Sequence, residues 1–161
     1  MDWLPWAPLV AASLHISEEF LVPGGFQAWY RRYRAEPSKI TPRFLVIVNG
    51  ALLATCCNAA LLGRTPLGIA YWLAISALLC SNGCWHVWAS YKSHTYSPGV
   101  VTGLAVYLPL AAYGYSQFVR SGAIPIGVAV VAYIVGASYP LWSAAYHRRR
   151  QNSTPRRGMA N

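Results

Sequence analysis

A chain of 161 residues, 55% hydrophobic and only 11% charged with a formal net charge of +9, is long enough for one domain with a core of its own. Ordinary soluble domains carry about 25% charged residues; here the apolar residues gather in long runs separated by short basic patches, which argues against a soluble fold. The same patches give the positive charge a use at a membrane surface, so no nucleic-acid partner is expected.

A run of ~18 or more apolar residues with few charges is a candidate transmembrane helix. Five such runs follow one another, at 3–22, 43–63, 66–91, 98–119 and 122–146. The first opens on Trp3 and Trp6 and carries His15, Glu18 and Glu19 near its far end. The second contains Asn49 and the adjacent Cys56 and Cys57. The third starts at Pro66, where a missing N–H costs little, and contains Cys80, Asn82, Cys84 and His86. His94 and Tyr96 lie in the junction that follows, ahead of Ser97-Pro98-Gly99. The fourth run contains Thr102 and Pro109, the fifth starts near Pro125 and contains Pro140. Both internal prolines predict kinks. Trp29, Tyr30, Trp88, Tyr91 and Tyr146 crowd the run ends, as in an interfacial aromatic belt. The four cysteines lack CxxC spacing and are expected to serve as small helix-packing residues.

With the N-terminus outside, eleven of the 13 Lys and Arg residues fall inside, from Arg31, Arg32, Arg34, Lys39 and Arg43 through Lys92 to the tail, leaving Arg64 and Arg120 outside. The opposite orientation inverts the positive-inside bias. The expected fold is therefore an all-α integral membrane bundle of about five transmembrane helices, N-terminus outside and C-terminus cytoplasmic, placed in a cell inner membrane. Residues 1–147 form the transmembrane domain, and 148–161 a basic, disordered cytoplasmic tail suited to anionic lipid. His147, among arginines, is expected at the surface. The start Met-Asp without basic residues does not match a signal peptide.

An ionisable group near the bilayer centre costs at least ~2.5–3.5 kcal/mol, so the polar residues within the runs are the candidates for function. His15, Glu18 and Glu19 stand at i, i+3 and i+4 on one side of the first helix; Asn82 and His86 are i, i+4 on the third. At 1.5 Å per residue, these sets and Asn49 lie at similar depth in the cytoplasmic half of the bilayer. Each has a plainer explanation: the glutamates as the wet end of a helix, Asn82 and His86 as interhelical hydrogen bonds worth ~0.6 kcal/mol, His94 as a solvated histidine. Their convergence favours a site.

Imidazoles with carboxylates suit zinc, iron or manganese. His15, Glu18, Glu19, His86 and His94 are the candidate ligands of such a divalent transition metal. Glu18 and Glu19 are also the candidate acid–base groups, and Asn49, Asn82 and Tyr96 would orient ligands or substrate. The order His-x-x-Glu-Glu is not that of a zinc-protease helix. A second chemistry needs no metal: a buried Glu beside a His can move protons on a lipid or terpenoid, as an isomerase or cyclase does. A proton-coupled carrier or a scaffold is the non-enzymatic alternative, although the chain lacks the internal repeat of many carriers.

His15, Glu18 and Glu19, followed by Pro23-Gly24-Gly25, the pair Asn82 and His86, and His94 with Tyr96, Pro98 and Gly99 together resemble the HXXEE family of small membrane proteins, over roughly residues 9–145. That resemblance implies a shared polar site and supplies no reaction. The expectation is a membrane-embedded, metal-dependent enzyme acting on a hydrophobic or amphipathic small molecule, with membrane lipid as its surroundings.

Overall fold

The computed structural model describes residues 2–22, 24–33, 41–142 and 145. Within them the chain is helical, with no strand. A short 3-10 turn, Leu4–Trp6, leads into α1 (Ala7–Leu21), then α2 (Gly25–Tyr33), α3 (Pro42–Leu62) and α4 (Pro66–Ser93). A fourth rod follows in three pieces: α5 (Val100–Thr102), a π-helical stretch (Gly103–Tyr107) and α6 (Leu108–Arg120). The last helix is α7 (Ile126–Ala137).

The helix starts are written locally. Thr41 and Thr65 accept the backbone N–H groups of Phe44 and Gly68 at 3.1 and 3.0 Å, each followed by a proline. A hydroxyl cap with Pro at the first position satisfies orphan donors and presets φ. Pro109 has no N–H and would crowd the carbonyl four residues back. The backbone widens just ahead of it, and Leu108 N–H reaches Gly103 O in the i→i+5 pattern. The expected kink is thus a π-bulge. α7 stops at Ala137 with a turn at Ser138, two residues before Pro140.

α4 is the central column. It packs along α7 and against α3, the π stretch and α6. Small residues let the backbones meet: a Cβ on Gly83 would lie 2.9 Å from Gly103 O, and one on Gly136 2.0 Å from Ala74 O. Such close crossings are the geometry that small residues give membrane helices. One cluster of the core, Leu4, Trp72, Leu73 and Phe118 with their neighbours, sits at the end of the bundle where the chain starts. A second, Ala11, Cys56, Leu79 and Tyr107, fills the middle. At the opposite end, Phe26 and Trp29 of α2 pack on Leu45 and Ala89.

Two features differ from the sequence expectation. Residues 25–33 form a helix, α2, which buries Phe26 and Trp29 and carries Arg31 and Arg32 in its last turn; at nine residues it is too short for the run criterion. Of the five expected spans, only α3 and α4 are, among the described residues, long and apolar enough to cross a membrane, with a shorter apolar helix at Ile126–Trp142. α1 has 15 residues, and the fourth rod is broken by its π stretch. Pro23, Arg34, Lys39, Tyr146, His147 and the tail 148–161 lie outside the described residues.

Candidate metal centre

Successive residues of a helix point about 100° apart, so the two adjacent glutamates of α1 have different partners. Glu19, 8% exposed, faces α4 with His15. Its Oε1 lies 3.2 Å from His86 Nε2 and 3.6 Å from His15 Nε2. His15 and His86 are 2% and 1% exposed, their rings 4.9 Å apart edge to face. One ligand atom from each of His15, Glu19 and His86 lies within 4.8 Å of the others, an arrangement that could hold a metal ion.

Each imidazole is held from behind. His15 Nδ1 is 2.8 Å from Thr102 Oγ1, and His86 Nδ1 is 3.2 Å from Ser97 Oγ. Ser97 is itself fixed by its N–H, which donates to Ser90 Oγ at 2.9 Å. Thr102 has one hydroxyl proton and donates it to Glu18 Oε2 at 2.5 Å. Its oxygen is then left to accept from His15 Nδ1–H, so the lone pair of His15 is on Nε2, the nitrogen that faces the cluster. Asn82 agrees with this tautomer, since its amide nitrogen donates to His15 Nε2 at 3.1 Å.

Glu18 turns to the start of the fourth rod. Gly99, at φ +103°, caps α5 without a side chain to offer. Glu18 Oε1 accepts from the N–H groups of Gly99 and Val101 at 2.9 and 3.1 Å, and Oε2 from Thr102 N–H at 2.7 Å. Tyr96 also donates its hydroxyl to Oε1. Burial and this carboxylate push the Tyr96 hydroxyl up to about 12, which keeps it a donor. A carboxylate on the first N–H groups of a helix meets both their unmet hydrogen bonds and the positive end of the dipole. Gly99 lies against both imidazoles; a Cβ there would be 2.7 Å from His15 Cε1 and 2.8 Å from His86 Cε1.

The open side of the cluster faces a cavity of about 490 Å³, whose wall also includes Phe26, Phe44, Leu52, Trp85 and Tyr139. Trp85 and Phe26 meet the His86 ring edge to face at 5.0 and 5.4 Å.

The structure thus brings together His15, Glu19, His86 and Asn82, with Asn49 in the wall of the same cavity. It does not bring in His94 or Glu18 as ligands, and Tyr96, expected to orient ligands or substrate, meets Glu18 instead. His94 ends α4 in the left-handed conformation (φ 51°), exposed and ring to ring with Tyr91 at 6.4 Å. Glu18 and Tyr96 pair with each other at the helix start. Ser97 had no motif to mark it, lying only 11 positions after His86 in a loop whose path sequence spacing does not give. A larger apolar hollow of about 800 Å³, between α1 and the fourth rod near Trp3 and Tyr113, contains none of these groups.

The family described as "Protein of unknown function with HXXEE motif" matches residues 6–114, a stretch that includes His15, Glu18, Glu19, Asn82, His86 and Thr102. No curated protein and no solved structure matches the chain significantly.

Proposed function

The chain belongs to this HXXEE-motif family, whose description gives no activity, and we propose from the site itself that it is a membrane-embedded, metal-dependent enzyme acting on a hydrophobic or amphipathic substrate. The observation that carries this reading is the convergence of two imidazoles and a carboxylate, buried, with one side open to an apolar cavity. A structural site closes its coordination with protein donors, whereas a catalytic one keeps a position free.

The donor set fits an ion. Separations of 3.2 and 3.6 Å from Glu19 Oε1 suit donors that each stand at ~2.0–2.2 Å from one centre. His15 Nε2 carries the lone pair that ligation needs. His86 can offer the same, because the Ser97 hydroxyl is able to accept from Nδ1–H. The Asn82 amide would turn its oxygen toward the ion. A bound zinc, iron or manganese would polarise a substrate oxygen or acidify a water. Glu18 and Thr102 would fix His15, and such outer partners are worth 10–100-fold in affinity or activity. Trp85 and Phe26 would keep bulk water from His86.

The outer surface supports a membrane setting. Val10, Leu14, Val46, Ile47, Leu61, Ile126, Val130, Val131, Ile134 and Val135 are all exposed, while His15, His86 and Glu19 lie inside. A soluble bundle has the reverse distribution. In the proposed arrangement the five rods all cross or enter the bilayer. α2 would lie at the cytoplasmic surface with Arg31 and Arg32, as interfacial helices do.

One observation favours a second reading. The 3.2 Å between His86 Nε2 and Glu19 Oε1 is also an ordinary hydrogen bond, so the trio could work without an ion as an acid–base isomerase or cyclase. Elemental analysis of protein purified without chelators separates the two. About one zinc, iron or manganese per chain, lost in His86→Ala and Glu19→Gln, is the expected result. A metal-free, folded and active wild-type protein would overturn the metal reading in favour of the second.

A further inference from the structure

Asn49, in the first half of α3, has a side-chain nitrogen that is buried without a hydrogen-bond partner among the described residues. It belongs to the wall of the cavity that ends at His15, Glu19 and His86. A buried amide donor left unpaired costs about 1–3 kcal/mol. Its neighbours along that wall, Leu45, Val48 and Leu52, have no acceptor in their side chains. The polar surplus points at something that occupies the cavity.

The shape and charge of the cavity say what. Ile47 and Ala51, one turn apart on α3, line it and are exposed, so its mouth opens on the apolar flank of that helix. At about 490 Å³ it lies in the lower half of the ~300–1,000 Å³ range of sites that enclose one small organic molecule. No Lys or Arg contributes to the described wall, and Glu19 puts a carboxylate at its inner end. An anionic head would have no Lys or Arg to meet there, and the two imidazoles at the inner end already face the Glu19 carboxylate.

We infer that the cavity takes one single-chain, neutral lipid whose head bears an acceptor oxygen: an alcohol, aldehyde, ketone or ester. On binding, the Asn49 amide turns about χ2 so that Nδ2, enclosed in the wall of the cavity, donates to that oxygen; the head rests beside Glu19 and His86, and the chain leaves along Leu52 and Ile47 into the hydrocarbon. This deepens the reading of the site as a lipid enzyme, and it does not depend on an ion.

The test is equilibrium binding of tritiated hexadecanol to the full chain in nanodiscs, with hexadecane and palmitate as competitors. The expected result is saturable binding of about one molecule per chain, displaced weakly by palmitate and not by hexadecane. Asn49→Leu keeps the volume and removes the donor, so it should weaken binding about tenfold. The same change leaves thermal stability equal or higher, because an unpaired polar group has gone. Ile47→Trp, at the exposed mouth, should weaken binding as well. Hexadecanol held as tightly by Asn49→Leu as by wild type, equal competition by hexadecane, or tighter binding of palmitate would each overturn the proposal. Metal content of the same samples separates the two ideas. Metal-free protein that binds hexadecanol through Asn49 retains this proposal and removes the ion; metal-loaded protein without saturable binding does the opposite.

Discussion

Thr102 gives Glu18 two hydrogen bonds on a single carboxylate oxygen, from its N–H at 2.7 Å and from its hydroxyl at 2.5 Å. Through the same hydroxyl oxygen it receives His15 Nδ1 at 2.8 Å. One threonine therefore ties the end of α1 to the start of the fourth rod and sets the tautomer of a buried histidine. The two glutamates of the motif divide accordingly: Glu18 is a clasp between helices, and Glu19 faces the imidazoles.

That division predicts opposite signatures for neighbouring substitutions. Glu18→Ala leaves the N–H groups of Gly99, Val101 and Thr102 without their shared acceptor. Hydrogen bonds to a charged group are worth about 1.5–3 kcal/mol, and a loss of that order is expected in unfolding measurements. Metal content should fall only partially, since the ligands remain but His15 is no longer fixed. If the trio holds the proposed ion, Glu19→Ala should remove it at much smaller cost in stability, because a buried charge leaves together with that ion. Equal stability losses in the two variants, with equal metal content, would contradict the division.

Much of this is legible in the amino-acid sequence. The rods at 42–62, 66–93 and 100–120 match runs visible in the sequence because long apolar stretches leave few other folds. His15 with Glu19 and Asn82 with His86 were legible as i, i+4 pairs, a spacing that puts both members on one helix face. The division between Glu18 and Glu19 was not. Spacing puts His15, Glu18 and Glu19 on the same broad side, and only the neighbouring helices decide which carboxylate meets which partner. His94 misled for a related reason: it is near His86 in sequence, but α4 runs on to Ser93 and carries it about 12 Å along the axis, at 1.5 Å per residue. α2 went unseen because its stability comes from packing Phe26 and Trp29 under the end of the bundle, not from a long apolar run.

Glycines offer a second test, since the structure separates those under close contact from those in open space. Gly99→Ala places a methyl group 2.7 and 2.8 Å from the two imidazoles, at a φ of +103° that side chains rarely adopt. Backbone strain of this kind costs about 1–3 kcal/mol, and the histidines must also move. Stability and metal affinity should fall together. Gly50→Ala, in α3 with nothing within 4 Å of the new atom, should be neutral or stabilising by about 0.5–1 kcal/mol, the helix-interior difference between the two residues. Denaturation midpoints with metal content on both variants check the pair. A Gly99→Ala protein as stable and as metal-loaded as Gly50→Ala would mean that Gly99 is not pressed on the imidazoles.

At the far end of the bundle, Asp2 is paired with Arg64 in the turn between α3 and α4, with Arg64 Nη2 donating to Asp2 Oδ1 at 3.1 Å. The Arg64 guanidinium beside it holds the Asp2 carboxyl below the usual carboxylate range. The folded value is therefore below the unfolded one, near ~3.9. The tie contributes its stability above that unfolded value and loses it as pH falls through the lowered folded value. Both side chains are well exposed, so the effect is local and weakened by salt. Amide protection factors at Leu4, Trp6 and Ala7, which divide out the intrinsic slowing of exchange in acid, should be high at neutral pH and fall on acidification below about pH 4. In Arg64→Gln that protection should already be low at neutral pH, with the acid step reduced. An acid step that survives in Arg64→Gln unchanged would assign it to another carboxylate, and Glu18, whose five acceptor bonds are at the opposite end, can be told apart because its loss would quicken exchange at Gly99, Val101 and Thr102 instead.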